Sequence, residues 1–239
     1  MPFTFSHAAV VLPYLKNKKL SATALIAGTM SPDFEYFFRM KMQSQISHTF
    51  IGIFILDLPL ALMVMFLFHQ IIKRSLIQNL PAFFQKRMYE LANSNWLTYF
   101  KNNAFIVFYS FILGTLTHIL WDSITHWDGF LVQRSTFLSS SLYGIPLYSL
   151  AQHLSSLIGM ICILYFFYRL PESKEDTHLI NWKYWLWSLF STVVFFAIRL
   201  SFGIQQDEIA TIVVSLISSG VLGLSVGGLV FKNNRIITS

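Results

Sequence analysis

Five long apolar runs dominate the chain, near residues 48–72, 103–126, 150–169, 181–203 and 208–231. Each can cross a hydrocarbon core about 30 Å thick, which takes roughly 20 helical residues. Between the first two lies KRSLIQNLPAFFQKRMYELANSNW, whose mixed apolar and basic character suits an interfacial helix. Two shorter apolar pieces, near 5–15 and 20–30, flank LKNKK ahead of the first run. Neither is long enough to cross alone, so each is expected to be a re-entrant or interfacial helix. The pattern predicts an all-α fold: a polytopic helical membrane bundle of about five transmembrane helices, with short N-terminal helices added. Residues 1–170, with the first three spans, hold the unusual polar residues, and 171–239 supply two further spans that complete the bundle.

Composition agrees. Hydrophobic residues make up 54% and charged residues only 12%, against roughly 25% charged in soluble domains. The start, MPFTFSHAAV, has no basic n-region or small-residue cleavage site, so no signal peptide is expected. The single cysteine, Cys162, excludes an internal disulfide and a cysteine-rich zinc site. The net charge of +6 comes from scattered short-loop residues rather than a basic stripe, which argues against nucleic acid as a partner.

The positive-inside rule explains those cations better. Lys73, Arg74, Lys86, Arg87 and Lys101 follow the first span, Arg169, Lys174 and Lys183 follow the third, and Lys232 and Arg235 close the chain. The intervening connections hold Arg134 in one case and only Asp207 and Glu208 in the other. The basic loops are therefore expected in the cytoplasm, although Lys16, Lys18 and Lys19 pull the opposite way.

On this topology His48, His118, Asp122, His126 and His153 all fall at one membrane face, the extracytoplasmic one. Nothing in the choice of spans required that. His118 and Asp122 are four residues apart, about 6 Å along one helix face, and can reach one ion together. His126 lies about 12 Å from His118, so it either serves a second ion bridged by Asp122 or marks the helix end. His153 is a further candidate. Nitrogen and oxygen ligands without thiolate suit zinc, manganese or iron alike. The bland alternative is that such histidines are hydrogen-bonded or wet, but intramembrane His and Asp are costly and gather at functional sites. His69 and His178 fall on the other side and read as surface residues.

Other polar residues admit two readings each. His7 fits a small helix capped by Ser6, and Asp33, after Pro32, suits a turn in which it caps the next segment. Asp57 lies near the middle of the first span, either bonded to a neighbouring helix such as that of Ser110 and Thr115 or part of a proton relay. Pro59 should kink that span. Arg199 reads as a snorkelling residue, a counter-charge to Asp122 or Asp33, or a holder of substrate phosphate. Trp121, Trp127, Trp182, Trp185 and Trp187 form an aromatic belt, and Gly220, Gly223, Gly227 and Gly228 suit close helix packing.

The segments MPFTFSH, GTMSPDFEYF, SHTFIGIFILDLPL and THILWDSITHWDGFLVQ resemble a bacterial membrane-protein family known only as a domain of unknown function, DUF4184-like. The resemblance covers most of residues 1–165. More distantly, the pattern is similar to SOS-regulated membrane-bound metal-dependent hydrolases and to the zinc-dependent phospholipase C group. Those share an early His, a Pro-Asp segment, a histidine at a helix start and a later HxxxD. Carried over, the resemblance implies His7, Asp33, His48, His118 and Asp122 as metal ligands of a di- or trinuclear site with a bridging carboxylate. Two differences stand out: Glu35 occupies the place of a second Asp, and the His-Arg-Gly before the helix-start histidine is missing.

The expected function is a metal-dependent hydrolase in a bacterial membrane, open at the extracytoplasmic face and acting on a phosphoester or lipid-linked substrate. Asp33 or Glu35 is the candidate general base. The alternatives are a metal or solute transporter, which Asp57 at membrane depth would serve, and a non-catalytic structural membrane protein. The lipid bilayer is the one partner expected in every case, and the oligomeric state is left open.

Overall fold

A computed structural model of the chain describes residues 3–203 and 209–232; Asp207, Glu208 and Arg235 lie outside the described residues. Among those described, five helices are long and apolar enough to cross a membrane: Phe50–Gln78, Ala104–Thr125, Leu147–Tyr168, Trp182–Ser201 and Ile209–Val230. Ser141–Leu142 pairs antiparallel with Ile145–Pro146, and the remainder is short helix and loop. The all-α membrane class follows.

The first span is longer than its apolar run implies. It continues through Lys73 and Arg74 to Gln78, and contains π turns at Ile53–Asp57 and Phe68–Ile72. Lys73 is carried inside because its Nζ donates to the Ser94 carbonyl and hydroxyl, at 2.7 and 2.9 Å. The polar stretch after it is therefore not one interfacial helix. Pro81, which lacks an amide proton, ends the first helix's path, and three short helices follow: Ala82–Arg87, Tyr89–Asn93 and Trp96–Asn102. His69, expected at the surface, is buried and stacked on Trp96 with ring centroids 4.8 Å apart. The longer helix keeps it within packed structure.

The chain divides into two compact units, one of Met1–Phe34, Ile46–Ala61 and Asn103–Leu170, the other of Glu35–Gln45, Leu62–Asn102 and Pro171–Ser239. Leu170 ends the last segment of the first unit. The segments 35–45 and 62–102 join the second unit.

In the first unit, a 3-10 helix at Thr4–Tyr14 and an α-helix at Ala22–Met30 pack against the second and third spans. Ser6 does not cap the 3-10 helix. Its hydroxyl donates to Phe3 O at 2.7 Å, and the cap position is Phe3, whose amide donates to Ser156 Oγ at 3.1 Å. Gly159 permits this approach, since a Cβ there would lie 2.9 Å from Ser6 O. Ala22–Met30 runs parallel to the second span: Ser21 N donates to Ser110 Oγ at 2.8 Å, and Ser31 Oγ meets Thr115 Oγ1 at 3.2 Å. Between these contacts Gly28 and Gly114 face each other. A Cβ on Gly28 would strike Phe111 O, and one on Gly114 would strike Leu25 O. The two backbones therefore touch, as small residues allow between apolar helices.

In the second unit, the last two spans pack along Gly223 and Gly227, where a Cβ would meet Ser188 and Thr192 or Tyr184. The 35–45 segment is fastened to the fifth span by Ser215 Oγ donating to Met40 O at 2.8 Å and Ser218 Oγ donating to Phe37 O at 2.7 Å.

Candidate metal centre

Four segments of the first unit deliver His and Asp side chains to one place. The 3-10 helix brings His7, the turn Ser31–Asp33 brings Asp33, the loop before the first span brings His48, and the second span brings His118 and Asp122. Burial differs sharply. His118, His7 and Asp33 are buried, Asp122 is partly covered, and the His48 side chain is 30% exposed, so the group opens past His48.

Asp122 Oδ2 lies 3.0 Å from His118 Nε2 and 3.7 Å from His48 Nε2. Asp33 Oδ1 lies 3.8 Å from His118 Nε2 and 3.7 Å from His48 Nε2. Asp122 Oδ1 faces the other way, 3.5 Å from His7 Nε2 and 3.4 Å from His126 Nδ1. The His7 and His118 rings stack with centroids 4.0 Å apart. Ligands held at roughly 2.0–2.2 Å around a tetrahedral ion sit about 3.4 Å apart, the scale of these separations.

Outer contacts orient the group. His118 Nδ1 lies 2.7 Å from Thr29 O, and a carbonyl accepts only, so Nδ1 carries the proton. Nε2 is aimed at two carboxylates, an arrangement that either a proton on Nε2 or a shared cation satisfies. Thr4 Oγ1 donates to Asp33 Oδ2 at 2.6 Å, leaving Oδ1 for the cluster. Asp33 was expected to cap the next segment; its carboxylate instead reaches back to Thr4. His7 Nε2 is buried with no hydrogen-bond partner.

Electrostatics match. Burial, helped by the neighbouring His118, lowers the His7 pKa from 6.5 to about 3, so its ring is neutral and free to donate a lone pair. Burial also pushes the Asp33 carboxyl above its ordinary value, against the pull of His118 and the Thr4 hydroxyl. Ionising Asp33 here is costly unless a cation is near.

The remaining candidates fall elsewhere. His126 ends the second span in an extended conformation and turns its ring towards Asp122. His153 is exposed on the third span and joins no ligand group among the described residues. Asp57 accepts from Ser47 Oγ at 2.6 Å, not from Ser110 or Thr115, which bond to Ser21 N and Ser31 Oγ. Glu35 is built into a turn of the second unit: Oε1 takes Arg39 Nε at 2.8 Å, and Oε2 takes Ser44 Oγ at 3.0 Å and Gln45 N at 3.1 Å. Arg199 donates to Met40 O and Gly203 O, both at 3.1 Å. Trp121, expected only in the aromatic belt, also donates to Ser155 Oγ at 3.2 Å.

Sequence reading missed Thr4, the Thr29 carbonyl and the glycine crossing. The signal available was the twin Gly-Thr, at Gly28-Thr29 and Gly114-Thr115. The sequence matches the family described as "Domain of unknown function (DUF4184)" over residues 1–232. No curated protein and no solved structure matches it.

Proposed function

The chain belongs to the DUF4184 family, and we propose that its His/Asp cluster makes it a membrane-embedded hydrolase dependent on a divalent metal. The observation that carries this reading is the pair formed by His118 and Asp122, with Nε2 and Oδ2 3.0 Å apart while Nδ1 is committed to Thr29 O. Metal-binding histidines are oriented in this way by an outer acceptor.

The separations sort the donors into two places. Asp33 Oδ1, His48 Nε2, His118 Nε2 and Asp122 Oδ2 suit one ion. His7, His118 and Asp122, whose ligand atoms lie within 4.8 Å of one another, would suit a second. His118 Nε2 has one lone pair and can serve one place only. The donor set favours zinc, with manganese or iron as alternatives. Such an ion supplies Lewis acidity and an activated water at neutral pH.

The chain's own residues then have defined tasks. Thr4 and Thr29 orient ligands, and neutral His7 keeps its lone pair available. His48 and His126 are the most exposed members and so the ones through which a proton can reach solvent. His118 lies seven residues before Thr125, about 10 Å down the helix from its end. That depth favours a phosphoester on a lipid or a lipid-linked substrate. The loop-charge asymmetry favours the extracytoplasmic face.

The test is metal content by mass spectrometry of detergent-purified wild type and of the His118→Ala/Asp122→Ala variant, followed by a screen of phosphoesters and lipids. Stoichiometric metal in the first, absent from a folded second, and hydrolysis that follows the metal, support the reading. Absence of metal from both, with the variant only less stable, rejects it in favour of helix packing. Metal flux into vesicles without hydrolysis would point to transport.

A further inference from the structure

His48 is the most exposed of the five candidate ligands, and its ring tilts against that of His118 with centroids 5.6 Å apart. Its backbone is also unusual, with φ at +69°, in the left-handed region that a non-glycine residue occupies only when its surroundings impose it. What imposes it lies on both sides. Thr49 Oγ1 accepts from Gly52 N at 2.9 Å and donates to Ile46 O at 2.7 Å. Gly52 allows that tight turn, because a Cβ there would strike Ile46 O. On the other side, the Ser47 hydroxyl donates to Asp57 Oδ1 at 2.6 Å, with Ser47 at 4% and Asp57 at 0% exposure.

Asp57 closes the π turn Ile53–Asp57, in which Leu58 N bonds Ile53 O five residues back. Such a turn inserts one residue into the helix and changes the facing of what precedes it by about 100°. Here the inserted residue accompanies a carboxylate that receives the chain just before His48. A buried acid in a span is costly, and such acids gather at functional sites.

Resting on the metal-centre reading, we infer that Asp57 is a positioning residue: through Ser47 it fixes the left-handed His48 backbone and aims Nε2 at Asp33 and Asp122, so setting the metal affinity without touching the ion. The His48 ring then depends on a tether from within the membrane span, anchored nine residues further along the chain.

The experiment is zinc affinity of the full-length protein in detergent, by competition with a chromophoric chelator, for wild type, Ser47→Ala, Asp57→Ala, the double variant and Asp57→Asn. Thermal midpoints of the metal-free forms are measured alongside. Each alanine variant is expected to bind zinc about 10–100-fold more weakly. The double variant should be no weaker than the worse single one, since both remove the same bond. Asp57→Asn keeps an acceptor oxygen for Ser47 and should restore most of the affinity. Lower thermal midpoints with unchanged affinity would show a merely structural role and overturn the inference, as would additive losses. Should Asp57→Ala fail to fold, Ser47→Ala decides by itself. Wild type that binds no zinc overturns the underlying reading, an outcome distinct from variants that bind as wild type does.

Discussion

The two units bury polar side chains in contrasting ways. In the second unit the buried groups between the last two spans are hydroxyls, and several are satisfied on their own helix. Ser225 Oγ returns to Val221 O at 2.7 Å and Thr192 Oγ1 to Ser188 O at 2.8 Å. Each bond spans four residues and needs no partner segment. In the first unit imidazoles and carboxylates are buried among the hydroxyls, and several of their partners lie far along the chain: Thr4 on Asp33, Thr29 on His118, Asp122 beside His7. Both units use glycine to bring helices together, at Gly223 and Gly227 in one and at Gly28 and Gly114 in the other. The same packing device therefore serves different ends. Where polar groups close on their own helix the result is adhesion. Where they converge from separate segments, the result is a cluster of candidate ligands.

The largest effect that would break this contrast is on metal. His118→Ala should abolish stoichiometric binding, because it removes the most buried ligand, whereas Ser218→Ala in the second unit should leave metal content unchanged; mass spectrometry of both variants checks this. Next come the glycines. Gly28→Val and Gly223→Val should each destabilise by about 1–3 kcal/mol through overpacking. Only Gly28→Val should also lose metal, because it displaces Thr29 from His118; equal metal loss in both would dissolve the distinction.

A smaller effect concerns pH. His7 is neutral in the folded metal-free protein down to about pH 3, while in the unfolded chain it takes a proton near 6.5. The unfolded state therefore binds more protons in that window, and stability is lost as pH falls from about 6.5 towards 3. Asp33 runs the opposite way: its raised pKa means that its contribution is lost as pH rises through the folded value. Thermal melts of metal-free wild type and His7→Gln should show a shallower acid loss in the variant. The smallest effect is that of Thr4→Val, which frees Asp33 Oδ2 and should weaken metal binding about 10-fold. Thr4→Ser should behave as wild type in the same titration.

Much of the fold was legible because a membrane span is a local property: some 20 apolar residues in a row announce themselves. The five spans appear where the apolar runs lie, and the short pieces before them are separate helices. The first span's end was misread because Lys73 and Arg74 look like a loop, yet the Ser94 partner that lets Lys73 stay buried is 21 residues away. His69 was misplaced for the same reason. In the site, the spacing of His118 and Asp122 was readable from helix periodicity, and His7, Asp33 and His48 from the resemblance of their motifs. The partner of Asp57 was not readable, since Ser47 reaches it only through the loop and the π turn.

By itself, then, the sequence determined the membrane class, the number of spans and the residue types able to hold an ion, because hydropathy and helical spacing act over a few turns. Tertiary structure decided which of those residues meet. The meeting of Gly28 with Gly114 sets Thr29 against His118, and the approach of Ser6 to Gly159 seats His7 beside it. It also left His153 exposed and built Glu35 into a turn. Backbone contact between distant segments is a matter of shape, settled when the helices pack, and no local pattern carries it.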